Sequence, residues 1–537
     1  MAPIKRSASR VAKETENLNT VSGTKRQKTA AAEETLRLHA KLFAQAARQA
    51  TPDLTCSIPA RQHAHTYHRP LLLNSRGGRD AQESLLSWFD GVSEVRSMPW
   101  RQKWIDPSTV KEASELRPLL ERRAYQVWIS EIMLQQTRVA VVIDYWNRWM
   151  EKWPTIQDLA AASGDDVLAA WKGLGYYSRA TRIHEAAKKV VVDAEMKGLL
   201  PEDAKSLEAQ VPGVGRYTAG AISSIVFGRP EPMVDGNVLR VLSRQLGLMG
   251  NVKTNRTVID VLWAAADALV KDVARSTPKS DRPGRWGQGL MELGSTVCTP
   301  SPNCSVCPIT TTCRAYQEGK GPGAEPLADI EDLCTWCEAL PEDAEKPTEK
   351  PAKPAKQATL AAFAFTSRTT KSPQTQGTSS SPTQEAITNH TKRFPVKFIK
   401  KAVREEETVV CVIRRADGQY LVHRRPEKGL LAGLWEFPSQ AVDGQVTKQK
   451  QQRTRVAKSF VSSLIKDDSG FKHKGEVGSV PWLFSHIKLT MHVHVFESES
   501  PQVELSGTSR WSQDPEAESM GTGMNKCWLL VKSMDQD

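Results

Sequence analysis

Four cysteines within sixteen residues, Cys298, Cys304, Cys307 and Cys313, constrain this chain more than any other feature. Their gaps are five, two and five residues. Thiols crowded this way in a reducing compartment call for a metal. Zinc and an iron–sulfur cube both accept four cysteines, and the spacing favours the cube, because zinc modules usually use two short Cys-x-x-Cys pairs. The chain has nine cysteines in all, sparse for a secreted disulfide scaffold of 537 residues, and six of them fall between Cys298 and Cys337.

A chain of this length exceeds one hydrophobic core and predicts two or three domains. Lys plus Arg outnumber Asp plus Glu by 73 to 61, a net charge of +12, which suits a polyanion such as DNA. No apolar run approaches the roughly 18 residues of a membrane span, and no apolar signal core is expected at the N-terminus. Residues 1–80 read as a largely disordered basic extension. Its clusters around Lys5-Arg6 and Lys25-Arg26-Gln27-Lys28 predict nuclear import, and its composition also permits a mitochondrial presequence. A helix is expected over residues 34–50. His63, His65 and His68 lie close together, but with no cysteine pair beside them they are not expected to bind metal.

From Tyr125 to Tyr316 apolar residues recur at helical spacing between Gly/Pro turns, which predicts an all-α module. The stretch Val127 to Trp146 carries its chemistry. Glu131 interrupts an apolar face near the expected helix start, where desolvation favours a protonated, proton-donating carboxyl. The plainer reading is an amphipathic helix with one acid near its start. Gln135 shares the face of Glu131, a break falls at Gln136-Thr137, and Thr137 is the expected cap of the next helix. Residues 105–122, rich in charge and proline, read as a surface insertion. Val211-Pro-Gly-Val-Gly-Arg-Tyr-Thr carries Gly213 and Gly215 ahead of a helix, a pattern suited to close backbone approach to a DNA phosphate. In Val234-Asp-Gly-Asn-Val, Asp235 is placed to cap a helix, where the dipole favours a charged carboxylate. One protonated and one ionised carboxyl is the division expected of glycosidic-bond cleavage.

Ser130-Glu-Ile-Met-Leu-Gln-Gln-Thr, Gly173-Leu-Gly-Tyr-Tyr-Ser-Arg, Pro212-Gly-Val-Gly-Arg-Tyr-Thr, Val234-Asp-Gly-Asn-Val and the four cysteines together resemble adenine DNA glycosylases of the MutY family, over roughly residues 84–318. The resemblance implies removal of adenine opposite 8-oxoguanine by a helix–hairpin–helix module with a [4Fe–4S] cluster. It implies that Glu131 protonates the extruded adenine, Asp235 stabilises the sugar cation, Asn237 holds Asp235 or the DNA backbone, and Tyr217 lines the site. Gln136, Thr137, Leu174 and Tyr176 match the positions that enter the duplex, and Gln288 the one that meets the adenine edge. Related endonuclease III-like enzymes carry a lysine where Tyr217 stands; a phenol forms no imine, so the reaction is expected to be monofunctional. The first cysteine gap is five residues where the family usually has six, so reduced cluster occupancy is one expectation.

Residues 321–395 shift to Pro, Lys, Glu, Ser and Thr and read as a disordered linker. Cys334 and Cys337 form half of a zinc site there, or two plain thiols; the family's higher eukaryotic members place zinc-binding cysteines in this linker. Gln357, Leu360, Phe363 and Phe365 resemble a sliding-clamp-binding box. Residues 396–537 alternate like strands around Asp417-Gly418 and resemble the Nudix-like domain with which the family inspects 8-oxoguanine. The magnesium-binding acidic helix of true Nudix hydrolases is missing, so phosphohydrolysis is not expected. Phe484, Ser485 and His486 match the loop that contacts the oxidised base. The expected architecture is therefore a multidomain chain: an all-α glycosylase module over 81–320, its cysteine loop at 298–313, the linker, and a C-terminal α/β domain. The alternatives are an endonuclease III-like lyase, opposed by Tyr217 and the C-terminal domain, a non-enzymatic lesion binder, opposed by the retained carboxylates, and a Nudix phosphohydrolase with a DNA-binding tether, opposed by the missing acidic helix.

Overall fold

A computed structural model describes residues 61–74, 76–275, 279–321, 333–338, 383–397, 403–426, 431–442, 449–464, 471–484, 487–498 and 508–534, with positions 37, 39, 40, 42, 43, 56, 277 and 429. The chain forms two compact units: Met1–Val95, Pro232–Thr277 and Arg285–Phe398 in one, and Arg96–Glu231, Pro278–Gly284 and Ile399–Asp537 in the other. Helices of the expected 81–320 module fall in both.

In the first unit, α1 (Gly77–Arg96) is joined by helices from the second half of the helical region. Its core is a single cluster. Leu85 and Leu86 of α1 meet Val238, Val241 and Leu242 from Gly236–Gln245, Leu262 and Leu269 from Arg256–Ala274, and Trp286, Leu290 and Leu293 from Arg282–Thr296. Each such side chain contributes roughly 1.5–3 kcal/mol when fully buried.

The second unit is built around α2 (Ala113–Met133). Every residue from Arg123 to Met133 is buried. A helix covered on all sides forms the centre of its domain. The expected 105–122 insertion is corrected here: from Ala113 it is the exposed, charge-rich half of this same helix, with Pro118 inside it. Glu131 accordingly lies in the last turn of α2 and not near a helix start. The break after it is present, and α3 (Val139–Lys152) follows. Its N-cap is Arg138, without a side-chain cap; Thr137 instead donates to the Gln135 carbonyl at 3.3 Å, so the expected Thr137 cap is not formed. Four further helices lead on: α4 (Ile156–Ala161), α5 (Gly164–Ala170), α6 (Ser178–Val192) and α7 (Ala204–Gln210). A turn at 211–215 then opens α8 (Arg216–Ile225).

The C-terminal part of this unit is a seven-stranded mixed sheet. Strands β1 (Arg404–Arg414), β2 (Tyr420–Arg424), β3 (Trp435–Glu436), β4 (Ser439–Val442), β5 (Phe471–Leu483), β6 (Ile487–Ser498) and β7 (Ser509–Ser512) run in the order β3-β2-β1-β6-β5, with β4 also on β1 and β7 on β2. Only the β1–β6 pair is parallel among them. Alternation along β1 sends Val410 and Val412 to one face, against Met524 and Trp528 of Thr522–Met534. Cys411 and Ile413 go to the other, against Ala457 and Val461 of Lys450–Leu464. Asp417-Gly418 forms the expected turn, with Gly418 at φ +85°. This is the predicted α/β domain.

Two segments expected to lack structure carry some. Residues 61–74 hold two short 3-10 turns with Tyr67, His68, Leu72 and Leu73 buried, and Gln384–Thr391 is a helix within the expected linker.

Candidate active site and metal centres

Glu131 is 5% exposed although it is an acid. It is buried because it belongs to the fully enclosed half of α2, and the negative end of the helix dipole opposes a charge there. Tyr217, in the first turn of α8, donates its Oη to Glu131 Oε2 at 2.6 Å. The hairpin preceding Tyr217 explains its placement. Gly213 sits at φ +78°, and a Cβ there would lie 3.1 Å from Arg182 Cβ. Gly215 is the N-cap of α8, with nothing within 4 Å of an added Cβ. Its exposed backbone and the first N–H groups of α8 make an anion site of the kind a phosphate fills.

In the other unit Asp235 caps α9 (Gly236–Gln245). Its Oδ1 accepts from the N–H groups of Asn237 (2.9 Å) and Val238 (2.8 Å), and its Oδ2 from Asn237 Nδ2 (2.8 Å). Asn237 thus holds the aspartate, the first of its two expected roles. Arg240 then donates to Asn237 Oδ1 (2.8 Å), to the Gly294 carbonyl (2.7 Å) and to the Cys298 carbonyl (2.9 Å). A continuous hydrogen-bonded path runs from Asp235 to the first cysteine of the quartet.

Cys298, Cys304, Cys307 and Cys313 line one cavity, with Val241, Leu293 and Val297 behind them. Thr391, from α13 (Gln384–Thr391), also lines it. Arg244 donates to Cys298 Sγ at 3.2 Å. Burial pushes the Cys307 thiol up to about 12 and raises Cys304 and Cys313 as well. For these three thiols burial opposes ionisation, and a cationic guest would favour the thiolate form. A second group of metal-ligand type lies elsewhere among the described residues.

That second group is His63, His68, Cys334 and Cys337, whose ligand atoms all lie within 4.8 Å of one another. Here the expectation that the histidines lack a cysteine pair is overturned, and the missing half of the Cys334–Cys337 site is found. The Cys334 amide donates to the His63 carbonyl at 2.8 Å, and Ala64 bridges to Leu333, so the backbone zips the two segments together. His63 Nε2 lies 3.0 Å from His68 Nε2, and His68 Nε2 lies 3.2 Å from Cys334 Sγ and 3.6 Å from Cys337 Sγ. A tetrahedral zinc ion spaces its nitrogen and sulfur ligands by roughly 3.3–3.8 Å. His68 Nδ1 meets the Leu246 carbonyl at 2.9 Å, which fixes the ring as metal-ligating histidines are usually fixed. A hydrogen bond from Cys334 holds Cys337 well below the ordinary thiol range despite burial, with His63 and His68 adding to the effect. His65 stays outside, against Thr335 Oγ1 at 3.2 Å.

The remaining sequence-predicted residues are placed as follows. Gln136 and Tyr176 are exposed at turn tips, both with positive φ (57° and 49°), while Leu174 is buried. Gln288 is half-buried on α11 (Arg282–Thr296). Phe484 closes the β5–β6 turn through its amide to the Ile487 carbonyl at 2.8 Å. Ser485, His486 and the box residues Gln357, Leu360, Phe363 and Phe365 lie outside the described residues.

Residues 129–265 match the HhH-GPD superfamily base excision DNA repair proteins, and residues 409–530 match the NUDIX domain. The human adenine DNA glycosylase is 35% identical, over 95% of this chain and 87% of its own length. The rat adenine DNA glycosylase is 39% identical, over 80% of this chain and 73% of its own. Among solved structures, a thermostable thymine-DNA glycosylase aligns over 44% of this chain and 95% of its own, at 25% identity and a TM-score of 0.35.

Proposed function

The chain belongs to the adenine DNA glycosylases, and from that premise we propose that it excises adenine mispaired with 8-oxoguanine or guanine and leaves an abasic site. It is a DNA N-glycosylase that removes adenine in base-excision repair. The observation that carries the mechanism is the buried Glu131 with its hydrogen bond from the half-buried Tyr217. A carboxyl withdrawn from water at the end of a helix is disposed to carry a proton. In this reading it passes that proton to a ring nitrogen of the extruded adenine, and Tyr217 orients it. Asp235, held by Asn237 and two backbone N–H groups, presents its charge to the cationic sugar that forms as the base leaves. Water is the nucleophile, since the phenol of Tyr217 forms no imine. Gln136, Thr137 and Tyr176 enter the duplex, the buried Leu174 backs the same turn from within, Gln288 meets the adenine edge, and the Phe484–His486 loop reads the oxidised base.

A labelled duplex with adenine opposite 8-oxoguanine tests this. Wild type should give strand breaks only after alkali, and Glu131→Gln should lower single-turnover excision by about 10³-fold, within the range of general-acid catalysis. Breaks from wild type without alkali would overturn the monofunctional reading. Ser485→Ala should reduce the preference for 8-oxoguanine over guanine opposite the adenine.

The cysteine quartet is read as the seat of a [4Fe–4S] cluster, and His63, His68, Cys334 and Cys337 as a zinc site. Iron and zinc content of the purified full chain, with the visible absorption of the cluster, test both assignments. The nuclear address, with a mitochondrial presequence as the other reading, and the clamp-binding box belong to the same proposal, testable by imaging a tagged chain and by clamp binding of a Phe363→Ala variant.

A further inference from the structure

Arg179 closes the Gly173-Leu-Gly-Tyr-Tyr-Ser-Arg motif, and the reading above gives it no task. Its guanidinium is buried and spans two turns that are far apart in sequence. One end donates to the carbonyls of Ile132 (2.7 Å), Met133 (3.3 Å) and Gln135 (2.9 Å). The other end donates to the carbonyls of Leu174 (3.2 Å) and Gly175 (2.9 Å). The plane also lies over the rings of Trp171 (5.1 Å) and Tyr176 (5.6 Å). Ile132 and Met133 are the last carbonyls of α2, beside Glu131, and a helix end welcomes such a cation.

The turns it bridges are strained. Gln136 and Tyr176 adopt left-handed backbone conformations at φ 57° and 49°, with Gly173 and Gly175 at 99° and 73° beside them. Non-glycine residues hold such conformations only where the surroundings over-determine them, and they cluster where strain serves a function. Both strained side chains are exposed at the tips.

We propose that Arg179 is a positioning residue that locks the Gln135–Thr137 turn and the Leu174–Tyr176 turn to each other at the end of α2, so that the duplex probes keep a fixed geometry during base extrusion. The inference rests on the reading that these turns enter the duplex. Its consequence is selective. The step that opens the base stack depends on Arg179, whereas proton transfer to an adenine already out of the stack does not.

Arg179→Lys keeps a charge, but a single ammonium lacks the fork that serves both turns. The test compares wild type, Arg179→Lys and Tyr176→Ala on two duplexes. One carries a paired adenine opposite 8-oxoguanine; in the other the adenine lies in a small unpaired bubble. Single-turnover excision is read on both, with thermal melting beside it. Arg179→Lys should lose about 100-fold on the paired duplex, the scale of a 1 Å misplacement. It should lose less than about threefold on the bubble, where extrusion is already done. Equal losses on both duplexes, or none on either, overturn the proposal. Where Tyr176→Ala spares both duplexes, the underlying reading of the turns has failed. Where Tyr176→Ala is impaired on the paired duplex and Arg179→Lys is not, only the present inference has failed. Should Arg179→Lys not fold, Gly175→Ala replaces it, since it disturbs one clamped turn at φ +73° and leaves the arginine in place.

Discussion

The first unit holds two four-ligand groups that differ in almost every respect. The cysteine quartet draws all its ligands from residues 298–313 and lines an apolar cavity backed by α9 and α11. The His63, His68, Cys334, Cys337 group draws its ligands from segments some 270 residues apart, and its ligand atoms crowd within 4.8 Å. One is a single local loop. The other is a clasp between two segments that have little secondary structure of their own, 61–74 and 333–338. The difference teaches what a metal would do for the fold at each place. A guest in the quartet would organise the end of the helical region and, through Cys298, Arg240 and Asn237, the support of Asp235. A guest in the clasp would tie chain segments to a core that already exists.

The largest effect should come from the quartet. Cys307→Ser removes a ligand from a cavity where burial drives the thiols upward, and no other described group replaces it. The expected outcome is loss of iron and of soluble folded chain, read by iron content and yield. Iron-free protein that still excises adenine at the wild-type rate would break the link to Asp235. Next comes His68→Ala. A structural zinc contributes on the order of 10 kcal/mol to the fold it closes, but only the clasped segments fold around this one. The variant should lose zinc, keep iron, and expose residues 61–74 to proteolysis, with excision falling by less than about tenfold. Loss of iron together with zinc would erase the contrast between the sites.

A metal-free tie holds the same segment. Glu318 is 3% exposed at its side chain and accepts two bonds from Arg61 (3.0 and 3.1 Å), one from Tyr67 (2.6 Å) and one from His390 (2.9 Å). Burial alone would raise its carboxyl, but these partners bring it down to about 2 from an ordinary 4.5. A depressed carboxyl gives stability that is present above its unfolded value and lost as pH falls from about 4.5 toward 2. At about 1.4 kcal/mol per unit the tie is worth about 3 kcal/mol at neutral pH. Glu318→Gln should flatten the acid limb of the stability profile and loosen residues 61–74 with both metals retained. An unchanged acid limb would place that stability elsewhere.

The sequence reveals contacts made between neighbours and hides those made at a distance. The quartet, the Asp235 cap, the glycine hairpin and the alternation of β1 are each written within a dozen or so residues, and each is legible. His63 and His68 do not read as ligands because their partners lie beyond residue 330, and no local pattern joins them. The triple histidine near Cys56 and the orphan Cys-x-x-Cys pair are signals that gain meaning only when taken together. Glu131 reads as lying near a helix start because the exposed half of α2, with Pro118 in it, reads as a loop; tertiary burial of the second half decides the helix. Arg179 is illegible in the sequence for a similar reason. Five backbone carbonyls from two turns leave no side-chain pattern to read.

The smallest effect concerns Cys56 and sharpens the comparison most. Its buried thiol lies 3.5 Å from His63 Nδ1, and burial, with Glu318 nearby, pushes it up to about 12. If His63 binds metal through Nε2, its Nδ1 carries the proton and donates it to the sulfur. Cys56 then supports the ring from outside the ligand set. Such support is worth about tenfold in metal affinity at the lower end of its range, and a thiol is a weak acceptor. Cys56→Val should weaken zinc binding by about tenfold, measured against a chromophoric chelator, and Cys56→Ser, which keeps an acceptor, should restore most of it. Equal affinity in all three proteins would show that the ring is fixed without the thiol. Complete zinc loss in both variants, as in His68→Ala, would make Cys56 a ligand, and the clasp would then be a three-cysteine site closer in chemistry to the quartet than its geometry implies.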